Sequence, residues 1–203
     1  MTTPFTDVGS AVIRAFHDAR VADRGWAASD AVAHAEGAWR WIEANHRCNT
    51  LLWDEEDRAR RRDVPDAAIA GNKRAIDGYN QRRNDAIENL DEALLARLAA
   101  VTLEPGAWHN SETSGAMVDR LSILALKAFH MGVEARRTDA GDAHVAACRE
   151  KLARLTLQRD DLARCYDTLL AEAARGRAFW RVYRQFKMYN DPTLNPYLYG
   201  GRR

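Results

Sequence analysis

One helical stretch carries polar side chains at the spacing where an amphipathic helix normally carries core-facing apolar residues. The residues on this stripe are Trp39, Ile42, His46, Asn49, Trp53 and Glu56, each three or four positions after the last. An imidazole, an amide and a carboxylate on one helix face can bind a polar ligand, or they can satisfy one another inside the protein. The stripe therefore predicts either a polar pocket between helices or a buried polar network.

Two further predicted helices carry polar stripes of the same kind. One stripe contains Asp77, Asn80, Asn84, Glu88 and Asp91, and the other contains Asp119, Ile123, Lys127 and His130. Asparagine is a poor helix former, so its repetition on one helix face favours binding over simple solvation. If the three stripes face a common space, they line one pocket between three helices.

Carboxylates at turn spacing on neighbouring helices indicate a magnesium or manganese site, because these cations take several oxygen ligands and leave room for substrate phosphates. The predicted metal ligands are Glu56, Glu88 and Asp91. The predicted catalytic residues of a phosphoanhydride hydrolase are Glu56, Asp85 and Glu88. Basic residues would hold the anionic substrate. The full set predicted to bind the ligand is His46, Asn49, Trp53, Asp77, Asn80, Arg83, Asn84, Asp119, Arg120, Lys127, His130, Tyr183, Arg184 and Lys187.

Two alternatives use the polar residues differently. Glu43 and His46 form an ExxH pair of the kind found in di-iron carboxylate proteins, but His130 follows Lys127 rather than a carboxylate, so a second ExxH motif is missing. In the other alternative the protein is a helical interaction or assembly protein, and its polar residues fix the helix register. The segment YRQFKMYNDP, which starts at Tyr183, would then dock a partner or another subunit through its aromatic and arginine residues.

Composition limits the class of protein and the partners. The chain has 203 residues, of which 46% are hydrophobic and 29% charged, as expected for one globular domain over 1–203. A formal net charge of +1 argues against binding nucleic acid. No run of 18 apolar residues occurs and residues 1–10 lack a signal-peptide pattern, so neither a membrane span nor secretion is predicted.

The cysteines predict the cellular compartment, and the charges near the C-terminus predict how that end of the chain is paired. Cys48, Cys148 and Cys165 lie in apolar helical patterns without CxxC spacing, which predicts reduced core residues in a cytoplasmic protein. From Arg175 to Arg203 the sequence has six more positive than negative charges. These arginines are predicted to pair with carboxylates elsewhere or, as the alternative, to form an anion-binding patch.

The fold class predicted from periodicity is all-α, an up-and-down bundle of four long helices with short helices at the N and C termini. Capping at Thr6 or Asp7 starts an N-terminal helix over 6–20. The bundle core covers 30–176, with helices from Ser29 to about Arg60, from Asp63 to Ala100, from Gly115 to Arg137, and from Asp142 to Gly176. The basic C-terminal segment, 177–203, is predicted to hold a short amphipathic helix through Phe179 and Phe186, followed by an extended tail.

Four motifs in order resemble a bacterial family designated domain of unknown function number 4254, over roughly residues 39–199. They run from His46 to Arg60, from Lys73 to Glu88, from Gly115 to His130, and from Tyr183 to Pro196, the last reading YRQFKMYNDPTLNP. The family has no established activity. Its members tend to be encoded near sugar-transferring enzymes of cell-envelope polysaccharide assembly, so the resemblance implies that context but no reaction.

The motifs of this resemblance contain most of the polar residues singled out above, which favours a site over a solvated helix face. The function predicted is handling of a phosphorylated small molecule, such as a nucleotide or sugar phosphate, in a polar pocket between helices. Magnesium-dependent hydrolysis is the enzymatic form of that prediction. The alternative remains an interaction protein, which includes a homo-oligomer.

Overall fold

The computed structural model describes residues 5–23, 25–29, 31–188 and 191–200. In this part of the chain the fold is all-α, as predicted. The helices are α1 (Ser10–Ala22), α2 (Gly37–Arg58), α3 (Asp66–Ala96), α4 (Ser114–Glu134), α5 (Asp142–Ala173) and α6 (Pro196–Tyr199), of which α2 to α5 are long. Two strands of two residues each, β1 (Trp108–His109) and β2 (Ala178–Phe179), pair in parallel.

Helix α4 is the central element of the fold. It packs along α5 and also contacts α1, α2 and α3, whereas α2 packs mainly along α3. Its apolar residues Val118 and Leu121 are fully buried and share one core with Ile42 of α2, Leu90 of α3 and Tyr166 of α5. None of the helices in the described part combines the length and apolar character that crossing a bilayer requires.

The N-terminus of α4 is fixed against α3 by a close approach of the two backbones. The Gly115 N–H donates to Asp91 Oδ1 at 2.7 Å, and the Ala116 N–H donates to Thr113 Oγ1 at 3.1 Å. A Cβ at Gly115 would lie 2.5 Å from the Ile87 carbonyl oxygen, so glycine permits this approach. Burial raises the pKa of Asp91 to about 6, although its hydrogen bonds act in the opposite direction.

Helix α2 starts later than predicted. The prediction placed its cap at Ser29, but the Ser29 hydroxyl donates to the Trp26 carbonyl and closes a separate 3-10 turn, Trp26–Ala28. Residues 31–36 are not helical, and α2 begins at Gly37, whose φ of +64° suits glycine. Asp30, the second predicted capping residue, lies outside the described residues.

The ends of the chain also differ from the predictions. The N-terminal helix over 6–20 is a 3-10 turn, Thr6–Val8, followed by α1, and neither Thr6 nor Asp7 caps α1, whose first N–H, that of Ser10, donates to Asp167 Oδ1 at 2.8 Å. The predicted amphipathic helix from 177 to 186 is absent from the described residues, because residues 178–179 form β2 instead. The tail predicted to be extended contains α6, which starts with Pro196 after an Asn195 cap.

The structure decides two predictions about side chains, one about the cysteines and one about the basic C-terminal end. Cys48 and Cys148 are buried as predicted, but Cys165 is exposed, so the prediction of a third core cysteine is wrong. Of the four arginines of the basic end that lie in the described residues, three pair with carboxylates: Arg175 and Arg177 with Glu172, and Arg184 with Glu88 and Glu92. These three arginines therefore pair with carboxylates, which was the first of the two interpretations of the basic end.

Candidate functional site

Asp119 of α4 is the centre of a buried polar network between three helices. Its Oδ1 accepts hydrogen bonds from Asn45 Nδ2 at 2.8 Å and Asn49 Nδ2 at 2.9 Å, both from α2. Arg83 of α3 donates to the same oxygen from Nε at 2.7 Å and to Oδ2 from its guanidinium. Hydrogen bonding to Asp119 raises the pKa of Arg83, which keeps this pair charged.

A serine–histidine pair extends this network. His46 Nδ1 lies 2.7 Å from Ser122 Oγ, and Asn49 Nδ2 donates to the same hydroxyl at 3.0 Å. In an open site such a pair could activate the serine as a nucleophile. Both side chains, however, have 0% relative exposure, so a substrate cannot reach the hydroxyl. The geometry of His46, Asn49, Arg83 and Asp119 fits a structural network, which was one of the two interpretations of the polar stripes.

His17 of α1 completes the buried polar group, and the sequence analysis did not single it out. Its ring stacks on His46 with centroids 4.4 Å apart. Within the described residues, the two ring nitrogens of His17 have no hydrogen-bond partner. The same is true of His46 Nε2. Burial lowers the pKa of His17 well below its usual value and that of His46 to about 3, and the positive charge of Arg159 adds to both effects. Both imidazoles are therefore neutral at pH 7.

We expect these two histidines to make the fold sensitive to acid. A histidine with a lowered pKa in the folded state is protonated first in the unfolded chain, so its contribution to stability is complete above about pH 6.5 and is lost as pH falls. Relative to a His17→Leu variant, the wild type should lose about 1.4 kcal/mol of unfolding free energy per pH unit below 6.5. Urea unfolding at several pH values from 7.5 to 4.5 measures this difference.

The comparison with His17→Leu isolates one histidine, because the other titrating groups are common to both proteins. Asp91, with its raised pKa, acts in the opposite direction below about pH 6 in each of them. At pH 7 the variant should be about as stable as the wild type, since it removes two buried nitrogens without partners. If the difference in unfolding free energy between the wild type and His17→Leu does not change with pH, His17 is not held neutral in the folded state.

Three residues predicted to bind a ligand meet in an open cleft between α2, α4 and α5. The Trp53 indole and the His130 imidazole are stacked, with centroids 4.4 Å apart and ring planes 4° from parallel. Lys127 lies one turn before His130 on α4. The cleft has a volume of about 540 Å³, and its other lining residues are Met131, Glu134, Lys151, Arg154, Leu155 and Gln158. We call it the Trp53–His130 cleft.

Positive charge dominates this cleft. Lys127, Lys151 and Arg154 line it together with one carboxylate, that of Glu134, and Arg154 also pairs with Glu150 at a long 3.8 Å. Glu134 already pairs with Arg137 at 3.1 Å, and the hydrogen bond from Arg137 lowers its pKa. Lys151 and Arg154 come from α5, which the sequence analysis did not include in the site. On an amphipathic helix, exposed cations three residues apart are typical of a solvated face, so no sequence pattern marks these two as site residues.

A second, polar cavity lies on the other side of Trp53, and we call it the Asn80 groove. Its volume is about 320 Å³, and its lining residues are Asn49, Leu52, Trp53, Glu56, Asp57, Arg60, Asn80, Arg83, Ile123 and Leu126. Five of these residues, Asn49, Trp53, Glu56, Asn80 and Arg83, belong to the predicted ligand-binding and catalytic sets. Parts of the three polar stripes thus meet near Trp53, some in the buried network and some in the two adjoining cavities, and of the α3 stripe only Asn80 lines either cavity.

Other predicted residues lie away from these cavities. Asp77 is exposed and pairs with Lys73 at 3.5 Å. Asp85 lines a cavity of about 870 Å³ on the opposite side of α2 and α3. Arg120 pairs with Glu112 at 2.7 Å and lines a fourth cavity, of about 660 Å³, which Lys127 also lines.

The carboxylates predicted to bind a metal are not brought together. Glu56 of α2 pairs with Arg60 and lines the Asn80 groove. On α3, Glu88 lies about 12 Å further along the helix axis than Asn80, at 1.5 Å per residue. Asp91 is occupied by the Gly115 N–H. Among the described residues, no three His, Cys, Asp or Glu side chains are grouped so that they could hold a metal ion.

The ExxH pair is likewise divided between two sets of contacts. Glu43 accepts hydrogen bonds from the N–H groups of Ala33 and His34, whereas His46 faces Ser122. Burial raises the pKa of Glu43, but these hydrogen bonds, with that from Arg47, outweigh burial and lower it. The Glu43 carboxylate therefore anchors residues 31–36 to α2.

Four predicted residues, Asn84, Glu88, Tyr183 and Arg184, anchor the C-terminal segment to the rest of the protein. Arg184 pairs with Glu88 at 3.1 Å and with Glu92, and the Gln185 N–H donates to Glu88 at 2.8 Å. Asn84 Nδ2 donates to Gln185 Oε1 at 2.8 Å. Tyr183 Oη lies 3.1 Å from His109 Nε2. Lys187 is half-buried in the same segment.

Comparison with known proteins identifies the family but adds no activity. No curated protein and no solved structure matches the chain. One family model, described as a protein of unknown function (DUF4254), matches residues 39–182. This range holds α2 to α5, the buried network and both cavities beside Trp53. The chain is therefore a member of the DUF4254 family.

Proposed function

We propose that this protein binds a phosphorylated small molecule, such as a nucleotide or a sugar phosphate, in the Trp53–His130 cleft. The observation that carries the proposal is the stacked Trp53–His130 pair with Lys127, Lys151 and Arg154 around it. The aromatic pair offers a flat apolar surface, and the three cations offer charge-assisted hydrogen bonds to phosphate oxygens.

The open position of the cleft distinguishes it from the buried network. Lys127, Lys151 and Arg154 are exposed, so a ligand can reach them without a rearrangement of the helices. The cleft volume of about 540 Å³ lies within the range of small-molecule sites, roughly 300–1,000 Å³. Because Glu56, Asp85 and Glu88 lie in three different places, the proposal is limited to binding and does not extend to hydrolysis.

Charge reversal in the cleft tests the proposal. In a double variant, Lys127→Glu with Lys151→Glu, we expect the affinity for AMP, glucose 1-phosphate and pyrophosphate to fall at least about tenfold, because two attractive charges become repulsive. Isothermal titration calorimetry measures the dissociation constants. The matched control is Lys73→Glu with Arg74→Glu, which changes the net charge equally at exposed positions of α3.

The control decides between a site and a general charge effect. If the Lys73 and Arg74 variant weakens binding as much as the cleft variant, attraction to the whole protein explains the binding and the cleft has no special role. Wild-type protein that binds none of the three probes would contradict the proposal directly.

A second candidate function, an interaction or assembly protein, is favoured by the C-terminal segment. Seven large apolar or aromatic side chains there are exposed: Tyr183, Phe186, Met188, Leu194, Tyr197, Leu198 and Tyr199. Phe186 and Tyr197 have 85% and 95% relative exposure. Aromatic and methionine side chains are enriched at protein interfaces. Light scattering, which gives the mass of the protein in solution, separates a monomer from a homo-oligomer.

A further inference from the structure

We infer that the ligand of this protein has two parts, a phosphate in the Trp53–His130 cleft and a neutral, hydroxyl-rich ring in the Asn80 groove. This inference rests on the proposed function, since it extends the same site across Trp53. The class of ligand it names is a sugar ring that carries a phosphate.

The two cavities differ in available charge. The Asn80 groove contains two arginines, but Arg60 pairs with Glu56 at 2.8 Å and Arg83 pairs with Asp119. Asp57 adds a further carboxylate to its lining. The groove therefore has no surplus of positive charge, and its carboxylates would repel a second phosphate. The cleft holds the anionic part better, because its carboxylate, Glu134, is paired with Arg137, and of its three cations only Arg154 has an ion pair within the described residues, a long one of 3.8 Å to Glu150.

The side chains of the groove suit hydroxyl groups. A hydroxyl both donates and accepts, and so does the amide of Asn80, which has no hydrogen-bond partner shown among the described residues. The carboxylate of Asp57 accepts hydrogen bonds from hydroxyl donors. Leu52, Ile123 and Leu126 supply the apolar contacts that the carbon atoms of a ring require.

Trp53 connects the two cavities, because it lines both of them. An indole offers apolar area against which the C–H faces of a sugar ring can pack, while its N–H remains a donor. A ligand that reaches from the cations of α5 to Asn80 of α3 therefore passes along one shared wall.

Two sets of probes separate the ring from the phosphate. The first is the 1-phosphates of glucose, galactose, mannose and N-acetylglucosamine, and the second is cyclohexyl phosphate, which keeps a six-membered ring and the phosphate but lacks ring hydroxyls. In wild-type protein, calorimetry should show the best sugar phosphate binding at least about tenfold more tightly than cyclohexyl phosphate. In Asn80→Leu this ratio should fall towards one, with the affinity for cyclohexyl phosphate unchanged.

Asn89→Leu is the matched control, because Asn89 lies on the same helix but lines the cavity on the opposite side of α2 and α3. Its ratio should equal that of the wild type. Asn80→Ser keeps a hydrogen-bonding group, so it should retain part of the preference for sugar phosphates over cyclohexyl phosphate. Partial retention would show that the lower ratio in Asn80→Leu comes from the lost hydrogen bonds and not from a loss of folding.

The outcomes distinguish this inference from the proposed function. If the wild type binds cyclohexyl phosphate as tightly as every sugar phosphate, the two-part ligand is wrong and phosphate binding in the cleft stands. If the ratio is high but Asn80→Leu leaves it unchanged, the ring does not lie in the groove and the inference is overturned. If neither kind of probe binds, the inference fails, and the proposed function fails with it only if AMP and pyrophosphate do not bind either.

Discussion

Gly115→Ala is expected to destabilise the fold by about 3 kcal/mol, or to prevent folding, because the added methyl group overpacks a contact between two backbones. The new Cβ would lie 2.5 Å from the Ile87 carbonyl oxygen and 3.0 Å from Asp91 Oδ2. Neither α3 nor α4 can move away without breaking the hydrogen bond from the Gly115 N–H to Asp91. Thermal and urea unfolding followed by circular dichroism measure the loss.

Gly132→Ala is the matched control on the same helix. Its Cβ would meet only the end of the Arg136 side chain, at 3.3 Å, and that side chain is flexible. Alanine is a better helix former than glycine by about 1 kcal/mol, so this variant should be neutral or more stable than the wild type. Equal losses in the two glycine variants would mean that the α3–α4 contact is not the tight point of the fold.

Asp119→Ala is expected to cost about 3–5 kcal/mol, because it leaves the half-buried Arg83 guanidinium without its partner and removes the acceptor shared by Asn45 and Asn49. Breaking one side of a buried pair costs more than the pair itself contributes. A double variant, Arg83→Met with Asp119→Leu, should therefore recover a large part of the lost stability. Denaturant unfolding of the two variants measures both effects.

Asp77→Ala provides the comparison for an exposed ion pair. Asp77 also pairs with a cation, Lys73, but both side chains are about two-thirds exposed, so the variant should change stability by less than about 1 kcal/mol. If Asp119→Ala is as mild as Asp77→Ala, the buried network does not hold α2, α3 and α4 together.

Helical periodicity predicted the four long helices because it depends on burial, which the core of this protein repeats at every turn of α2 to α5. The ends of the helices depend on single contacts between distant residues. The N–H groups of Ala33 and His34 donate to the Glu43 side chain instead of to helical carbonyls. Residues 178–179 pair with the strand that begins at Trp108. Such contacts have no local signal, so the starts of α2 and of the C-terminal segment were predicted wrongly.

The site was predictable residue by residue but not as an arrangement. The polar stripes identified His46, Asn49, Asp119 and Trp53. Helical spacing cannot, however, distinguish a side chain that is buried in the core from one that lines an open cleft. Asn45, one turn before Asn49, joins the buried network and was not singled out. The cations of α5 are indistinguishable in sequence from a solvated surface, so their place in the cleft required coordinates.

The most direct test of phosphate binding in the Trp53–His130 cleft is a titration followed by the indole N–H signals of the six tryptophans in a ¹⁵N-labelled sample. Glucose 1-phosphate should shift the Trp53 signal, assigned with a Trp53→Phe variant, and leave the signal of Trp41, which lines the opposite cavity, in place. A Trp53 signal that stays unchanged at saturating ligand, or a shift at Trp41 alone, would contradict binding in this cleft.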